Sequence, residues 1–430
     1  MTGTSPDLHQ RPGGRLRIVR RFWTALGPGV ITGAADDDPS GIATYSIAGA
    51  QFGLAFLWTA LLTWPLMAAV QAMCARIGMV AGRGLVGTLR KRVPRSVLIV
   101  ISVALLVANT INVGADLSGM ADAAEMLTRI NSHVWVVMFG VLIAWVTIQL
   151  RYVLFASILK WLALILFAYV AAALAVKPDW AQVLRVALVP TLPHGRDAWA
   201  TLVAILGTTI SPYLFFWQAS QEVEEEKAGG RHTLKARRGA TPYEIRRRKM
   251  DIGVGTFFSN FAMFFIILTT ALTLHPHGVT QPESSRQVAE ALAPIAGRGA
   301  ALLYTVGLIG TGALAIPTLA GAAAYALAET FAWRQGMDQR LRGARGFYAV
   351  IALSIAAGIG LDFANVNPIR ALYWTAVING VLAPFLLVGI VWAASNRGLM
   401  QGQPSSRLGR LAVAATAVAM FGAAIGMFLL

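Results

Sequence analysis

Charged residues and cysteines are scarce in this chain of 430 residues. Only 13% of its residues are charged, whereas 56% are hydrophobic. A soluble domain carries about 25% charged residues, so the composition excludes an ordinary soluble enzyme and predicts a helical protein that crosses a membrane several times. The single cysteine, Cys74, excludes an intramolecular disulfide and a cysteine-rich metal site, and we expect it to serve in packing.

Motifs for catalysis and for nucleic-acid binding are also absent from the sequence. It contains no glycine-rich nucleotide loop, nucleophile arrangement or cysteine-rich zinc motif, so we expect no enzymatic activity and no cofactor. The net charge of +16 could suggest a nucleic-acid partner. However, the basic residues lie between apolar segments, and we interpret them as topology signals and expect no nucleic-acid binding. We also expect no cleavable signal peptide.

Apolar stretches of the length that a membrane helix requires recur along the chain. About 20 predominantly apolar residues are needed to cross a bilayer. Eleven stretches meet this criterion, at approximately 24–50, 54–75, 96–125, 133–152, 154–176, 198–222, 251–274, 299–332, 346–361, 368–394 and 409–429. We therefore expect an all-α polytopic protein of about 11 transmembrane helices, with the lipid bilayer as its surroundings.

Arginine and lysine cluster on alternate connections between these spans. The clusters are Arg15–Arg21, Arg83–Arg95, Arg231–Lys249, Arg334–Arg345 and Arg397–Arg410. Because connections rich in Arg and Lys stay in the cytoplasm, the pattern predicts a cell (inner) membrane protein with a cytoplasmic N-terminus and an extracytoplasmic C-terminus. The acidic run Glu222–Glu226 precedes one basic connection, and we expect it to pair with that connection rather than to attract exiting cations.

Three consecutive aspartates interrupt the first apolar span. Asp36, Asp37 and Asp38 are followed by Pro39 and Gly41. Carboxylates at bilayer depth cost roughly 2.5 to 3.5 kcal/mol each on insertion scales, so they persist where they pair, reach water or bind a cation. Proline disfavours helix at the preceding residue, and glycine tolerates unusual dihedral angles. The sequence therefore predicts a broken helix at which carboxylates and free carbonyls handle a cation.

A second interruption lies five spans later, where residues 207–213 read Gly-Thr-Thr-Ile-Ser-Pro-Tyr. Pro212 alone would also fit a simple kink, since proline is frequent in membrane helices. Paired with the acidic break, it indicates two repeats of opposite orientation with a transport site where they meet. The expected domains are a cytoplasmic tail 1–22, a transport domain 23–395 with repeats of about 23–176 and 198–395, and a segment 396–430 with the eleventh helix.

The residues around the first break form a longer pattern. The run Gly33–Thr44, followed by Ala48–Gly53 and Leu57-Trp58, resembles the first helix of the Nramp divalent-metal transporters, which reads Asp-Pro-Gly-Asn and then an aromatic, Ala and Thr. Further matches extend over most of the chain, at Asp116, Asp251, Asn260, Gly307-Leu308 and Leu319–Gly321. The resemblance implies a LeuT-like 5+5 inverted repeat with broken helices 1 and 6, and transport by alternating access.

The departures from the family pattern concern the metal site. The resemblance implies that Asp38 is the metal-binding aspartate, but Gly41 stands where the family has an asparagine ligand, and Ser211 replaces its methionine. Oxygen ligands suit Mg²⁺ and Mn²⁺, whereas a thioether favours softer metals. Together with Thr208, these small residues would leave a wide, oxygen-lined cavity that suits a largely hydrated Mg²⁺.

Other polar residues within the spans have less certain roles. Asp36 and Asp37 are further metal candidates through water, or they act as vestibule charges or partners of a basic group. For Asn109, Asn112 and Asn379 we expect hydrogen bonds between helices rather than cation binding.

Further departures bear on proton coupling. The family's two histidines in span six align with Tyr213 and Gln218, and its glutamate in span three aligns with Gly119. None of these replacements titrates near neutral pH as histidine does. We therefore expect import of Mg²⁺, with Mn²⁺, without proton coupling, as in the Nramp-related magnesium transporters. Asp116 keeps a proton route open, and Asp36, Asp37 or Asp122 could serve in its place.

Other functions remain open at the level of sequence. A proton-coupled Mn²⁺/Fe²⁺ symporter of the ordinary Nramp type would show metal-driven acidification. An amino-acid carrier of the same fold should present helix N-termini to a substrate carboxylate, which three aspartates would repel. A metal sensor that does not transport is a further alternative.

Overall fold

Helices form all the regular structure in the described part of the chain. The computed structural model describes residue 33 and residues 36–90, 92–150, 165–364 and 366–429. We number the α-helices in chain order: α1 Pro39–Phe52, α2 Leu57–Ala81, α3 Leu85–Leu89, α4 Arg95–Thr128, α5 Ser132–Gln149, α6 Phe167–Ala175, α7 Trp180–Leu188, α8 Arg196–Thr209, α9 Pro212–Ala228, α10 Pro242–Thr273, α11 Ser285–Ala289, α12 Ala293–Ala296, α13 Ala300–Phe331, α14 Arg345–Asp362, α15 Pro368–Ser395 and α16 Arg407–Leu429.

Nine helical segments within these described ranges are long and apolar enough to cross a membrane. Predicted spans one and two join there through a 3₁₀ turn, Gly53–Phe56, into one segment, Pro39–Ala81. The first half of predicted span five, 154–176, lies outside the described residues and its second half contains α6, whereas the predicted tail 1–22 lies entirely outside them. The remaining predicted spans coincide with helices, so the all-α multi-span fold is confirmed.

Both predicted helix breaks occur at the expected residues. Gly33 and Asp36 are helical, Asp37 and Asp38 are not, and α1 starts at Pro39. In the same way α8 ends at Thr209 and α9 starts with a proline at residue 212. Proline suits the first helical position because its missing N–H needs no partner there and its φ is already helical. The prolines therefore set where the second half of each broken helix begins.

Glycines allow the broken helices to pack closely against their neighbours. A Cβ atom at Gly49 would lie 2.1 Å from Thr270 Oγ1 on α10, and one at Gly207 would lie 2.0 Å from the Ala376 carbonyl oxygen on α15. Such approaches require glycine, as is usual at helix contacts in membranes. The contacts fix α1 against α10 and α8 against α15, and thereby hold the two breaks in place.

An ion-pair network joins α9 to α10 at one end of the bundle. The guanidinium group of Arg248 lies 2.7 Å from a carboxylate oxygen of Glu222 and 2.7 Å from one of Asp251, and it also pairs with Glu225. Nearby, Arg231 lies 2.5 Å from Glu244. The acidic run that ends α9 is thus paired with the basic residues that follow it, as the sequence predicts.

We predict that Gly49→Ala destabilises the protein, because its methyl group must displace α10. Overpacking of this kind costs roughly 1–3 kcal/mol, so the midpoint of thermal unfolding in detergent should fall by several degrees. Gly389→Ala on α15 is the matched control, since its Cβ meets no atom within 4 Å. Equal unfolding midpoints for the two variants would contradict the packing described here.

Candidate functional site

Asp38 occupies the first break and caps the helix that follows it. Its backbone is extended, with φ −72° and ψ 171°. Its carboxylate Oδ1 accepts hydrogen bonds from the backbone N–H of Gly41 at 2.7 Å and from the hydroxyl of Ser40 at 2.6 Å. Aspartate is a strongly preferred N-cap because it satisfies N–H groups that have no partner within the helix. One carboxylate oxygen therefore fixes the geometry of the break.

The other oxygen, Oδ2, has only long contacts. The Asn112 side-chain amide on α4 lies 3.4 Å away, and the Tyr213 hydroxyl on α9 lies 3.5 Å away. Both distances exceed the usual range of protein hydrogen bonds. Oδ2 therefore points to a place where α1, α4 and α9 meet and retains the capacity to bind a cation.

The second break lies directly against the first. A Cβ atom at Gly41 would lie 3.1 Å from Thr208 Oγ1, so these two positions are in contact. The Ser211 hydroxyl donates to the carbonyl oxygens of Gly207 and Thr208, each at 2.7 Å. Its oxygen keeps lone pairs for a further contact. The structure thus brings Asp38, Gly41 and Thr208 together and turns the proton of Ser211 toward its own backbone.

Asp36 and Asp37 contact a different helix. The hydroxyl group of Ser259 on α10 lies 2.5 Å from Asp36 Oδ2 and 3.2 Å from Asp37 Oδ1. A hydroxyl has one proton, so it is shared between the two carboxylates. Both aspartates are buried, and neither forms an ion pair in the described ranges. They therefore lie on the α10 side of the break, away from the side chains that contact Asp38.

Asp116 on α4 adds a fourth buried carboxylate near the break. It is fully buried, and neither of its oxygens accepts a hydrogen bond of normal geometry from a described residue. The Asp38 carboxylate and the Ser40 amide interact with it electrostatically. Asn112 lies one helical turn earlier on the same face of α4 and also has a buried oxygen without a partner. This face of α4 therefore presents oxygen atoms to the break.

The electrostatics of the site are dominated by negative charge. Buried carboxylates without basic partners are costly unless they bind a proton or a cation. Within the described residues no group of three or more His, Cys, Asp or Glu has the arrangement of a metal site. A cation there would therefore be held by one or two carboxylates together with neutral oxygens and water. Asp38, Thr208 and Ser211 are each about 1% exposed, so the site is closed to solvent in this conformation.

Some residues of the site have roles that the sequence alone does not indicate. Nothing in the sequence marks Ser40 and Ser259 as site residues, because their importance depends on which carboxylate lies beside them in the fold. Asn112 does face another helix, but it makes only the long contact with Asp38 Oδ2 described above. Its spacing of four residues from Asp116 could have indicated a shared helical face. Asn109 bonds between helices, to the Leu319 carbonyl oxygen at 2.8 Å.

Comparisons with known proteins show which family and which fold the chain resembles. The model of the family described as "Nramp: Natural resistance-associated macrophage protein-like" matches residues 29–430. The divalent metal cation transporter MntH of Acidiphilium cryptum (strain JF-5) is 25% identical over 451 residues, which cover 97% of this chain and 94% of that protein.

Two solved structures share the fold. A manganese transporter of Eremococcus coleocola, in complex with an aromatic bis-isothiourea substituted compound, superposes with a TM-score of 0.72 at 16% identity and covers 98% of this chain and 97% of its own. MhsT in complex with L-phenylalanine has a TM-score of 0.55 at 14% identity and covers 92% of this chain and 98% of its own. These likenesses confirm the LeuT-like fold that the sequence predicts.

We predict that Asp38→Ala lowers thermal stability more than Asp38→Ser does. Serine retains an N-cap hydrogen bond, whereas loss of a cap costs about 1 kcal/mol. The measurement is thermal unfolding of both variants in detergent without added divalent metal. If the two variants unfold at the same temperature, Asp38 is not the cap that this geometry describes.

Proposed function

The chain belongs to the Nramp family of divalent metal transporters, and on that premise we propose that it imports Mg²⁺, with Mn²⁺, by alternating access and without proton coupling. The observation that carries the proposal is the chemistry around Asp38. The side chains that contact its carboxylate belong to Ser40, Asn112 and Tyr213. All of them offer oxygen or nitrogen, and none offers the sulfur that soft metals prefer.

The size of the residues at the two breaks supports a hydrated ion. Gly41 and Ser211 are smaller than the asparagine and methionine of the family pattern. Mg²⁺ dehydrates reluctantly and is usually held by one or two carboxylates and several waters. We propose Asp38 as the direct ligand, with Gly41, Thr208 and Ser211 lining the ion's water shell. Asp36 and Asp37 would act through water from the α10 side.

Gly119, Tyr213 and Gln218 stand where the family pattern has a glutamate and two histidines. Their surroundings support transport without proton coupling. A Cβ atom at Gly119 would lie 2.8 Å from Leu372 Cδ1 on α15, so a glutamate at this position would require the Leu372 side chain to move. Gln218 donates its amide hydrogen to Glu222 at 2.7 Å, and Tyr213 approaches Asp38. Neither side chain exchanges protons near neutral pH as histidine does.

The membrane potential is a sufficient driving force for such import. A divalent ion that crosses an inside-negative potential gains roughly 4.6 kcal/mol per 100 mV. The direction requires the predicted topology, with the tail 1–22 and the basic connections in the cytoplasm of an inner membrane protein and with its C-terminus outside. We also propose that the chain divides as its sequence predicts, into a transport domain, 23–395, and a terminal segment, 396–430.

Proton-coupled transport of Mn²⁺ or Fe²⁺ is the second candidate. It is favoured by Asp116, a buried carboxylate that lacks a normal hydrogen bond and interacts with Asp38. A group in this position could take up a proton when the metal leaves. An amino-acid carrier is disfavoured, because the carboxylates at the break would repel a substrate carboxylate.

We predict that Asp38→Ser abolishes uptake of Mg²⁺ and Mn²⁺ into liposomes. Serine keeps the helix cap but removes the charge that attracts a divalent ion, so loss of transport cannot be attributed to loss of the cap. Internal metal is followed with a fluorescent dye under an inside-negative potential. Ser40→Ala is the control, because it removes a hydrogen bond to the same carboxylate and should retain measurable uptake. Uptake by Asp38→Ser at the wild-type rate would place the ion elsewhere.

We predict that Ser211→Met shifts selectivity toward soft metals. The thioether adds a ligand that prefers a soft ion such as Cd²⁺, and the ratio of Cd²⁺ to Mg²⁺ uptake should rise by about tenfold, or roughly 1.4 kcal/mol. Ser211→Ala controls for loss of the hydroxyl, since it brings no sulfur and should leave the ratio near that of the wild type. An unchanged ratio in Ser211→Met would show that residue 211 does not face the ion.

A further inference from the structure

A second feature of the molecule, separate from the metal site, is a deep groove on its apolar surface. The groove encloses about 900 Å³ between α4, α8, α15 and α16. Small side chains such as Ala104 and Ala108 line it on α4, and the exposed side chains of Trp374, Phe385 and Phe428 stand along it. A groove of this size, open at the apolar surface of a membrane protein, is accessible to lipid acyl chains.

The length of the groove corresponds to one leaflet of a bilayer. Along α15 it extends from Tyr373 to Phe385, and twelve residues of helix span about 18 Å. Half of the roughly 30 Å hydrocarbon core is about 15 Å. Tyr373 and Trp374 lie near the start of α15, and tyrosine and tryptophan are enriched where membrane meets water. The groove therefore runs from headgroup level to about the middle of the membrane.

Two opposite charges lie at the headgroup end of the groove. Arg196 and Asp197 begin α8, line the groove and are exposed. Neither side chain forms a hydrogen bond or an ion pair with any residue in the described portion of the sequence. The nearby Tyr373 hydroxyl already contacts the Thr201 hydroxyl at 3.1 Å. The groove thus combines an apolar surface about as long as one leaflet is deep with one cation and one anion at its entrance that have no partner among the described residues.

We propose that this groove binds a glycerophospholipid with an ethanolamine headgroup. Arg196 would hold the lipid phosphate by charge-assisted hydrogen bonds. Asp197 would accept hydrogen bonds from the primary ammonium group, which a choline headgroup cannot donate. An acyl chain would lie between α4 and α15. Because α8 carries Thr208 at its other end, the bound lipid would contact the helix that leads to the metal site.

The test is native mass spectrometry of the full-length protein, purified in detergent and mixed with equal amounts of phosphatidylethanolamine, phosphatidylcholine and phosphatidylglycerol. We expect phosphatidylethanolamine to be retained about three- to fivefold over the other two, as a contribution of one exposed ion pair allows. Arg196→Gln should lower retention of all three lipids, because the phosphate that they share loses its partner, while the order of preference set by Asp197 remains. Arg345→Gln is the matched control, because Arg345 is also an exposed arginine that begins a long helix but does not line the groove.

Two further variants distinguish the effect of the charges at the entrance on lipid binding from the effect of the shape of the groove. Asp197→Asn should shift the preference toward phosphatidylglycerol, because the ammonium group loses its partner while the phosphate keeps Arg196. Ala104→Phe should lower retention of phosphatidylethanolamine by filling the groove while both charges remain. Equal retention of the three lipids by the wild type would show only annular contact and overturn the proposal. A wild-type preference for phosphatidylglycerol, or equal losses in Arg196→Gln and Arg345→Gln, would also overturn it.

Discussion

Buried negative charge without basic partners is the constraint on which the rest of the structure depends. Four carboxylates lie at the break between Asp36 and Pro39 or beside it on α4, and none of them forms an ion pair within the described ranges. Such charge persists in a membrane protein only where a cation or protons compensate it. The helix breaks, the close glycine contacts and the burial of the site together provide an environment for that compensation.

Asp38 connects the fold to the proposed function because its two oxygens have different tasks. One caps α1 through Ser40 and Gly41, and the other faces α4 and α9 with only long contacts. A movement of either helix would change the surroundings of the second oxygen while the cap holds the first in place. This division allows one residue to remain anchored in α1 while its access to solvent changes.

Much of this arrangement could be predicted from the sequence, because apolar length, proline and glycine act locally. These signals located the helices and both breaks, and the pairing of the breaks predicted that they meet, as the contact between Gly41 and Thr208 shows. The partners of Asp36 and Asp37 could not be predicted in this way. Ser259 is more than 200 residues away, and which face of α10 meets the break depends on packing. The orientation of the Ser211 hydroxyl likewise follows from the shape of the break, which residue identity alone does not determine.

We infer that metal entry needs no proton. The most direct measurement uses purified protein in liposomes under an imposed inside-negative potential, with one dye that reports internal Mg²⁺ and another that reports internal pH. We expect Mg²⁺ entry while the internal pH stays constant. Acidification in parallel with metal entry, above all with Mn²⁺ when Mg²⁺ fails to enter, would contradict it and would assign Asp116 a role in proton transfer.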